Sequence, residues 1–236
     1  VLSFGRLAYR VFEEVGQDAR VVLDDEGKNL VLRKIAGECE KDLKVFKGNL
    51  KKQGYISEVK SVLSEFAQYG VDFERLDDFM KEVPPESYLH YKLDDIRTIY
   101  EKFEEYLSEK YITKEEMLDV LSDAVPYSDI LKGSVVAMDG FTGFTPVQNR
   151  LIGELFSVCE KVMITVTMDG RENPYVYEHP YQIFALGKQM VTSLMKIAGE
   201  KKTEIEEPIC LFERPVYRFR DCSEMAFLET ELFRYS

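Results

Sequence analysis

Four apolar residues, Val135 to Met138, run directly into Asp139, and a second apolar run, Val162 to Val166, ends just before Asp169. A carboxylate at the carboxyl end of a buried strand is a position from which Mg²⁺ is held, directly or through water, against the phosphates of a nucleotide. The same pattern begins many ordinary turns, and Asp139 reads as well as a turn or helix-capping carboxylate. Behind it lies GFTGFTPVQ. Phe141 and Phe144 in this stretch either meet a ligand, since loops at strand ends are where ligands approach, or pack into a core. Thr145, Pro146 and Gln148 make a helix start with an N-cap threonine, proline at the first helical position and a capping-box glutamine. Gln148 is therefore explained by structure alone.

A second group of residues with usable chemistry lies near the start of the chain. Phe4, Arg6 and Tyr9 bring an arginine and two aromatics close together in sequence. Such a trio could stack bases and grip phosphate in a single strand. The plainer alternative makes the aromatics core residues and Arg6 a solvated charge. The stretch Lys41 to Lys52, KDLKVFKGNLKK, is the most basic part of the chain. It reads as a solvated helix face or as a surface along which a strand passes.

The elements that must position these residues follow from periodicity. Val1 to Phe4 predict a short strand, and Leu7, Ala8, Val11, Phe12 and Val15 then recur at helix spacing until Gly16. From Asp24 to Lys132 helix-period stretches dominate. One helix is predicted near Asp25, with Leu30, Val31 and Ile35. Another starts at Ser57 and ends at Gly70, and a third carries Leu93 to Leu107. A fourth opens with the capping box Thr113 to Glu116, and Pro84 and Pro85 break the middle of the region. The two apolar runs around the Gln148 helix predict a parallel β-α-β unit with both strands buried, which leaves Asp139 at a ligand-facing strand end. Beyond it, a helix is predicted after His179-Pro180, a strand over Val216 to Phe219, and a last helix from Ser223.

Composition narrows the function classes. The 236 residues carry a formal net charge of −12 and 45% apolar residues, ample for a sizeable core. That charge argues against holding duplex DNA on a broad electrostatic surface, and leaves a local groove of a few arginines and stacking aromatics. No apolar run approaches the roughly 20 residues needed to cross a bilayer. Cys39, Cys159, Cys210 and Cys222 are far apart, without a C-x-x-C pair or a nearby histidine, and are expected as buried thiols of a cytosolic protein. His90 and His179 have no neighbouring ligand types. The opening on Val1 and the close within a helix-like SEMAFLETELFRYS predict a segment of a longer polypeptide.

The order of these parts resembles the superfamily 1 helicases of the UvrD/Rep type. The resemblance rests on VLSFGRLAYRVFEEVG, on LDDEGKNLVLRKI, on a helical insertion, and on apolar residues running into Asp139 before a helix with Gln148. The wording is most similar to the B subunits of the AddAB helicase-nucleases of Gram-positive bacteria. Their pattern S-F-x-R-L-A-W/Y is matched by Ser3, Phe4, Arg6, Leu7, Ala8 and Tyr9. Their D-G-F-x-x-F-S/T-P-x-Q/E is matched by Asp139, Gly140, Phe141, Phe144, Thr145, Pro146 and Gln148. The resemblance spans essentially the whole chain.

It implies an α/β fold with a partial RecA-like (P-loop NTPase-like) parallel sheet and a large all-helical insertion. Residues 1–23 and 133–236 would be parts of the RecA-like domain, and residues 24–132 the insertion. Active relatives follow the aspartate with a glutamate that orients the attacking water, where this chain has Gly140. Their G-D-x-x-Q sensor is replaced by TVTMDGREN, and the P-loop would lie upstream of Val1. The resemblance therefore implies a motor-degenerate, DNA-binding region that does not itself hydrolyse ATP. It would belong to a cytoplasmic ATP-dependent helicase/exonuclease that processes double-strand breaks for recombinational repair and scans single-stranded DNA for Chi. By motif position Phe4, Arg6, Tyr9, Phe141 and Phe144 would contact the strand, and Asp139 would be a vestigial Mg²⁺ site. No cofactor is expected in the chain itself, whereas ATP/Mg and a 4Fe-4S cluster would belong to the parent protein. The implied partners are the AddA subunit, in a heterodimer, and single-stranded DNA. Two other readings are an active superfamily 1 helicase domain and a non-catalytic scaffold for the A subunit.

Overall fold

The computed structural model describes residues 1–16, 21–49, 52–108, 110–170, 172–211 and 217–232. In chain order they form α1 (Phe4–Val15), β1 (Val21–Leu23), α2 (Asp25–Glu38), α3 (Gln53–Tyr69), α4 (Phe73–Glu82), α5 (Tyr88–Leu107) and β2 (Tyr111–Thr113). There follow α6 (Lys114–Ala124), β3 (Val135–Met138), α7 (Pro146–Val158), β4 (Lys161–Ile164), α8 (Ala185–Lys201) and α9 (Ser223–Glu231). The class is α/β, as expected. Among the described residues the strands form two separate parallel pairs, β1 with β2 and β3 with β4.

The β3-α7-β4 unit has the predicted parallel connection, with Val135 opposite Lys161 and Met138 opposite Ile164. Its strands are not buried as expected. Val135 and Met163 are exposed, and only Met138 of the pair is fully buried. Parallel strands read as continuous apolar runs when helices cover both faces, and two strands with one crossover helix are too few for that. The α7 start is as predicted: the Thr145 hydroxyl accepts from the Gln148 N–H, and the Gln148 side chain accepts from the Thr145 N–H. The capping box of Thr113 and Glu116 likewise opens α6.

Two apolar cores organise these elements. Leu32 and Ile35 of α2, Ile56 and Leu63 of α3, Leu76 of α4 and Ile99 and Phe103 of α5 close the first. Ala8 and Val11 of α1, Met117 and Leu121 of α6, Met138, and Leu151 and Leu155 of α7 close the second. The short β1–β2 pair joins them, with Val21 in register with Tyr111 and Leu23 with Thr113. The chain thus leaves for the helical core and returns from it on adjacent strands. α3 also packs against α6 and α7. α8 crosses α7 at Gly153, where an added Cβ would lie 3.2 Å from an Ile197 methyl carbon.

Several local expectations are corrected. Val1 and Leu2 form no strand and are exposed; Ser3 instead caps α1, its hydroxyl accepting from the Arg6 N–H at 3.3 Å. α3 begins at Gln53, so Ser57 lies inside the helix and its carbonyl accepts from the Ser61 hydroxyl. Leu30 is on the solvent face of α2. α4 escaped sequence reading, although Asp72 caps it through the Arg75 N–H. Tyr217–Phe219 is a turn of 3₁₀ helix rather than strand, and Val216 lies outside the described residues. Cys39 is buried, but Cys210 and Cys222 are exposed.

The basic stretch is a chain of turns over residues 41–49, not a helix face, and Leu50 and Lys51 lie outside the described residues. Its fold is set from a distance. Buried Asp95 accepts the backbone N–H groups of Lys44 at 2.8 Å, Val45 at 2.7 Å and Phe46 at 2.7 Å. A buried carboxylate is tolerable because those donors replace its lost water. Lys44 itself reaches Asp94 at 2.9 Å and lies over the Tyr91 ring.

Candidate nucleic-acid interface

The first helix presents two faces of different character. Ala8, Val11 and Phe12 are buried, and Gly16 ends the helix in the left-handed region at φ +69°, its N–H donating to the Phe12 carbonyl. Arg6, Tyr9 and Arg10 are exposed. At about 100° per residue these three positions share the side of the helix away from Ala8 and Val11. Among the described residues no carboxylate pairs with Arg6 or Arg10. Arg10 was not singled out from sequence. Its spacing of four from Arg6 on a helical pattern is the signal that could have found it.

Phe4 lies on the inner side of the same helix. Its ring centroid is 5.8 Å from that of Phe141, which is 4.9 Å from that of Phe144. All three rings are half-buried against the second core. The loop that carries Phe141 and Phe144 leaves β3 through Asp139 and turns at Gly140, whose φ of +82° is outside the range ordinary residues favour. It ends at the Thr145 cap, where the Asn149 side-chain amide donates to the Phe144 carbonyl at 3.4 Å. The structure thus joins Phe4, Phe141 and Phe144 into one aromatic cluster. It separates Phe4 from Arg6 and Tyr9, because the helix already begins at Phe4 and carries the latter two to solvent.

Asp139 stands at the carboxyl end of β3, exposed, and accepts a hydrogen bond from the Thr165 hydroxyl one residue beyond β4. Among the described residues no group of three or more His, Cys, Asp or Glu side chains is placed to hold a metal ion. Mg²⁺ needs near-octahedral oxygen ligands, usually one or two carboxylates with waters and substrate phosphates. Asp139 with a hydroxyl partner does not make that set by itself. Nor do the cysteines fit an iron-sulfur cluster, since none of them is grouped with further ligand types. Gln148 is occupied as a capping residue. Beside the aromatic loop, Arg150 of α7 bridges Asp119 and Asp123 of α6, and the hydrogen bond to Asp119 raises its already high pKa.

The arrangement offers an exposed guanidinium and phenol face on α1 and a half-buried aromatic cluster at a strand end. Comparison with known proteins gives this a family. A family model described as ADDB, N-terminal, matches residues 1–229. The B subunit of an ATP-dependent helicase/deoxyribonuclease from Lachnoclostridium phytofermentans is 40% identical over 239 residues, covering all of this chain and 21% of that protein. The protein of the same name from Clostridium acetobutylicum is 34% identical, and that from a Thermoanaerobacter species 37%, each over the whole chain and 20% of the relative. The chain thus spans about a fifth of the length of these curated relatives. With a match over nearly its whole length, the chain belongs to the AddB N-terminal family.

Proposed function

We propose that this chain is a helicase-like, motor-degenerate region of a B subunit that works in an ATP-dependent helicase/deoxyribonuclease and guides single-stranded DNA during double-strand break repair. The observation that carries this reading is the exposed row of Arg6, Tyr9 and Arg10 on α1 in a chain of net charge −12. Guanidinium groups neutralise phosphates and a phenol ring stacks on bases without regard to sequence. Phe141 and Phe144 would line the next part of the path, with Phe4 bracing them from behind. In this reading the β3-α7-β4 unit, with α1, is a remnant of a RecA-like domain, and residues 24–132 are its helical insertion. The separate apolar core of α2 to α5 supports that division, although α6 packs with the other core.

The loss of motor function is part of the proposal. Gly140 adopts φ +82°, a conformation that a glutamate would hold only under strain. Asp139 would then be a vestigial Mg²⁺ ligand now satisfied by Thr165. ATP, Mg²⁺ and a 4Fe-4S cluster would act elsewhere in the parent assembly, and Chi would be read along the strand path. In titrations of a labelled single-stranded oligonucleotide with the full-length protein, Tyr9→Ala is expected to weaken binding about tenfold, the value of one stacked base. Unchanged affinity in Tyr9→Ala and Arg6→Ala would overturn the reading.

A scaffold role toward the A subunit is favoured by one different observation. α9 buries none of its residues, and Met225, Phe227 and Leu228 are exposed on it. Apolar side chains gathered on one short helix are suited to a protein partner. Tight association with the A subunit combined with no affinity for oligonucleotides would select this reading over strand binding.

A further inference from the structure

The basic turns between α2 and α3 are a fixed surface of the first core. Residues 41–52 hold five lysines and one aspartate in a chain of net charge −12. Leu43 and Phe46 are buried in that core, while Lys41, Lys44 and Lys47, spaced three apart, are exposed. Successive turns are closed by backbone bonds: the Cys39 carbonyl accepts from the Asp42 N–H at 2.9 Å, the Phe46 carbonyl from the Asn49 N–H at 2.9 Å, and the Asn49 carbonyl from the Lys52 N–H at 3.0 Å. Gly48 turns the chain in the left-handed region at φ +74°. Between these turns the carboxylate of Asp95, itself 1% exposed, holds the N–H groups of Lys44, Val45 and Phe46. The positions from which the lysines project are thus set before anything binds.

The cations of this surface are not equivalent. Lys44 is spoken for, its ammonium on Asp94 at 2.9 Å and over the Tyr91 ring. Among the described residues neither Lys41 nor Lys47 has a carboxylate partner. Exposed Lys52 meets only a neutral group, the Asn49 side-chain oxygen at 3.4 Å. Asp42, also exposed, is the one opposing charge within the stretch. The nearby rings are committed: Tyr91 lies under Lys44, and Tyr55 packs edge-on against Phe46 with centroids 6.3 Å apart. Single strands are held by cations together with rings on which bases stack, whereas a duplex keeps its bases stacked inside and offers its phosphates. Free ammonium groups beside occupied rings suit the second.

We propose that Lys41, Lys47 and Lys52 form a docking surface for the phosphate backbone of duplex DNA, distinct from the single-strand face on α1, with Asp95 as the residue that positions it. The inference rests on the reading above in its premise that this chain handles DNA. The surrounding negative charge of the chain gives the patch direction, because a polyanion repelled elsewhere is steered to the local excess of lysine. The fixed turns add to this: a surface already ordered loses little conformational freedom when it binds. Contacts of this kind read no sequence and set only where the duplex lies.

The test is titration of the full-length protein at several salt concentrations against two labelled probes, a short blunt-ended duplex and an oligo-dT strand of the same length. Lys41→Ala with Lys47→Ala is expected to flatten the slope of log affinity against log salt on the duplex by about 1.8, twice the per-phosphate value of about 0.9, and to leave the single-strand slope as it is. Asp95→Asn keeps every lysine and makes the chain less negative. It is expected to weaken duplex binding several-fold, where net charge alone would strengthen it. An unchanged duplex slope in the lysine variant overturns the proposal and leaves the patch to an acidic protein partner. A loss equal on both probes overturns it too, as does tighter duplex binding by Asp95→Asn. If Asp95→Asn fails to fold, the lysine variant, altered only at exposed side chains, decides alone. Tyr9→Ala on the same probes tests the α1 strand path separately. A single-strand loss there with an unchanged lysine slope removes the duplex dock and keeps the strand path, and the reverse pattern does the opposite.

Discussion

Asp139 and Thr165 face each other across the carboxyl ends of two parallel strands, the hydroxyl of one donating to the carboxylate of the other. The register makes this pairing inevitable: Met138 is opposite Ile164, and each strand continues by one residue. A position that could bear a metal is thus tied to its neighbouring strand by a protein hydrogen bond. Thr165→Val is expected to destabilise the fold by about 1 kcal/mol or less, because the bond is exposed. A double-mutant cycle with Asp139→Ala in urea unfolding measures the coupling. A coupling of zero would mean that the hydroxyl merely rests beside the carboxylate.

Salt dependence separates the contributions on α1. If Arg6 and Arg10 each neutralise one phosphate of a single strand, the double alanine variant should flatten the slope of log affinity against log salt by about 1.4, twice the per-phosphate value of about 0.7. Tyr9→Ala should weaken binding and leave that slope unchanged, since stacking releases no counterions. Titrations at several salt concentrations distinguish the two effects. An unchanged slope in the double variant would remove both arginines from the strand path.

The features legible in the sequence are those set by neighbours in sequence. Thr145 with Gln148, and Thr113 with Glu116, announced two helix starts because a capping box is complete within one turn. The parallel connection around α7 was legible for the same reason, through two apolar runs and one amphipathic segment. What depended on distant partners was not. Asp95 organises residues 44–46 from some 50 positions away, and nothing local distinguishes it from Asp94. Phe4, Arg6 and Tyr9 lie on two faces for a local reason: the helix begins at Phe4, which turns Phe4 inward and carries Arg6 and Tyr9 to solvent.

If the chain is a motor-degenerate helicase region, as proposed, Gly140 stands where active helicases carry a glutamate, and its backbone decides whether that side chain could be restored. Its φ of +82° has no neighbour within 4 Å of an added Cβ, so space is not the obstacle. The conformation itself should cost an L-residue about 1–2 kcal/mol. Gly140→Glu is therefore expected to lower the unfolding midpoint and to confer no ATP turnover on the full-length protein. Turnover that appears in this variant, with the partner's own site disabled, would show that the rest of the motor is intact.

The ion pair of Lys28 and Glu115 links α2 to α6 between the two cores, with side chains 3% and 14% exposed. Removing one partner should be far worse than removing both. Lys28→Met leaves a largely desolvated carboxylate and is expected to cost about 3–5 kcal/mol, whereas Lys28→Met with Glu115→Leu should recover most of that loss. The recovery would not be complete, because the Ser64 hydroxyl also loses its partner. Urea unfolding of the single and double variants reads both numbers. If the double variant is as unstable as the single, the pair's role lies in positioning α6 through directional hydrogen bonds rather than in balancing charge. The N-terminus of α6, which carries both Glu115 and Glu116, would then be the structural hinge on which the two cores are set.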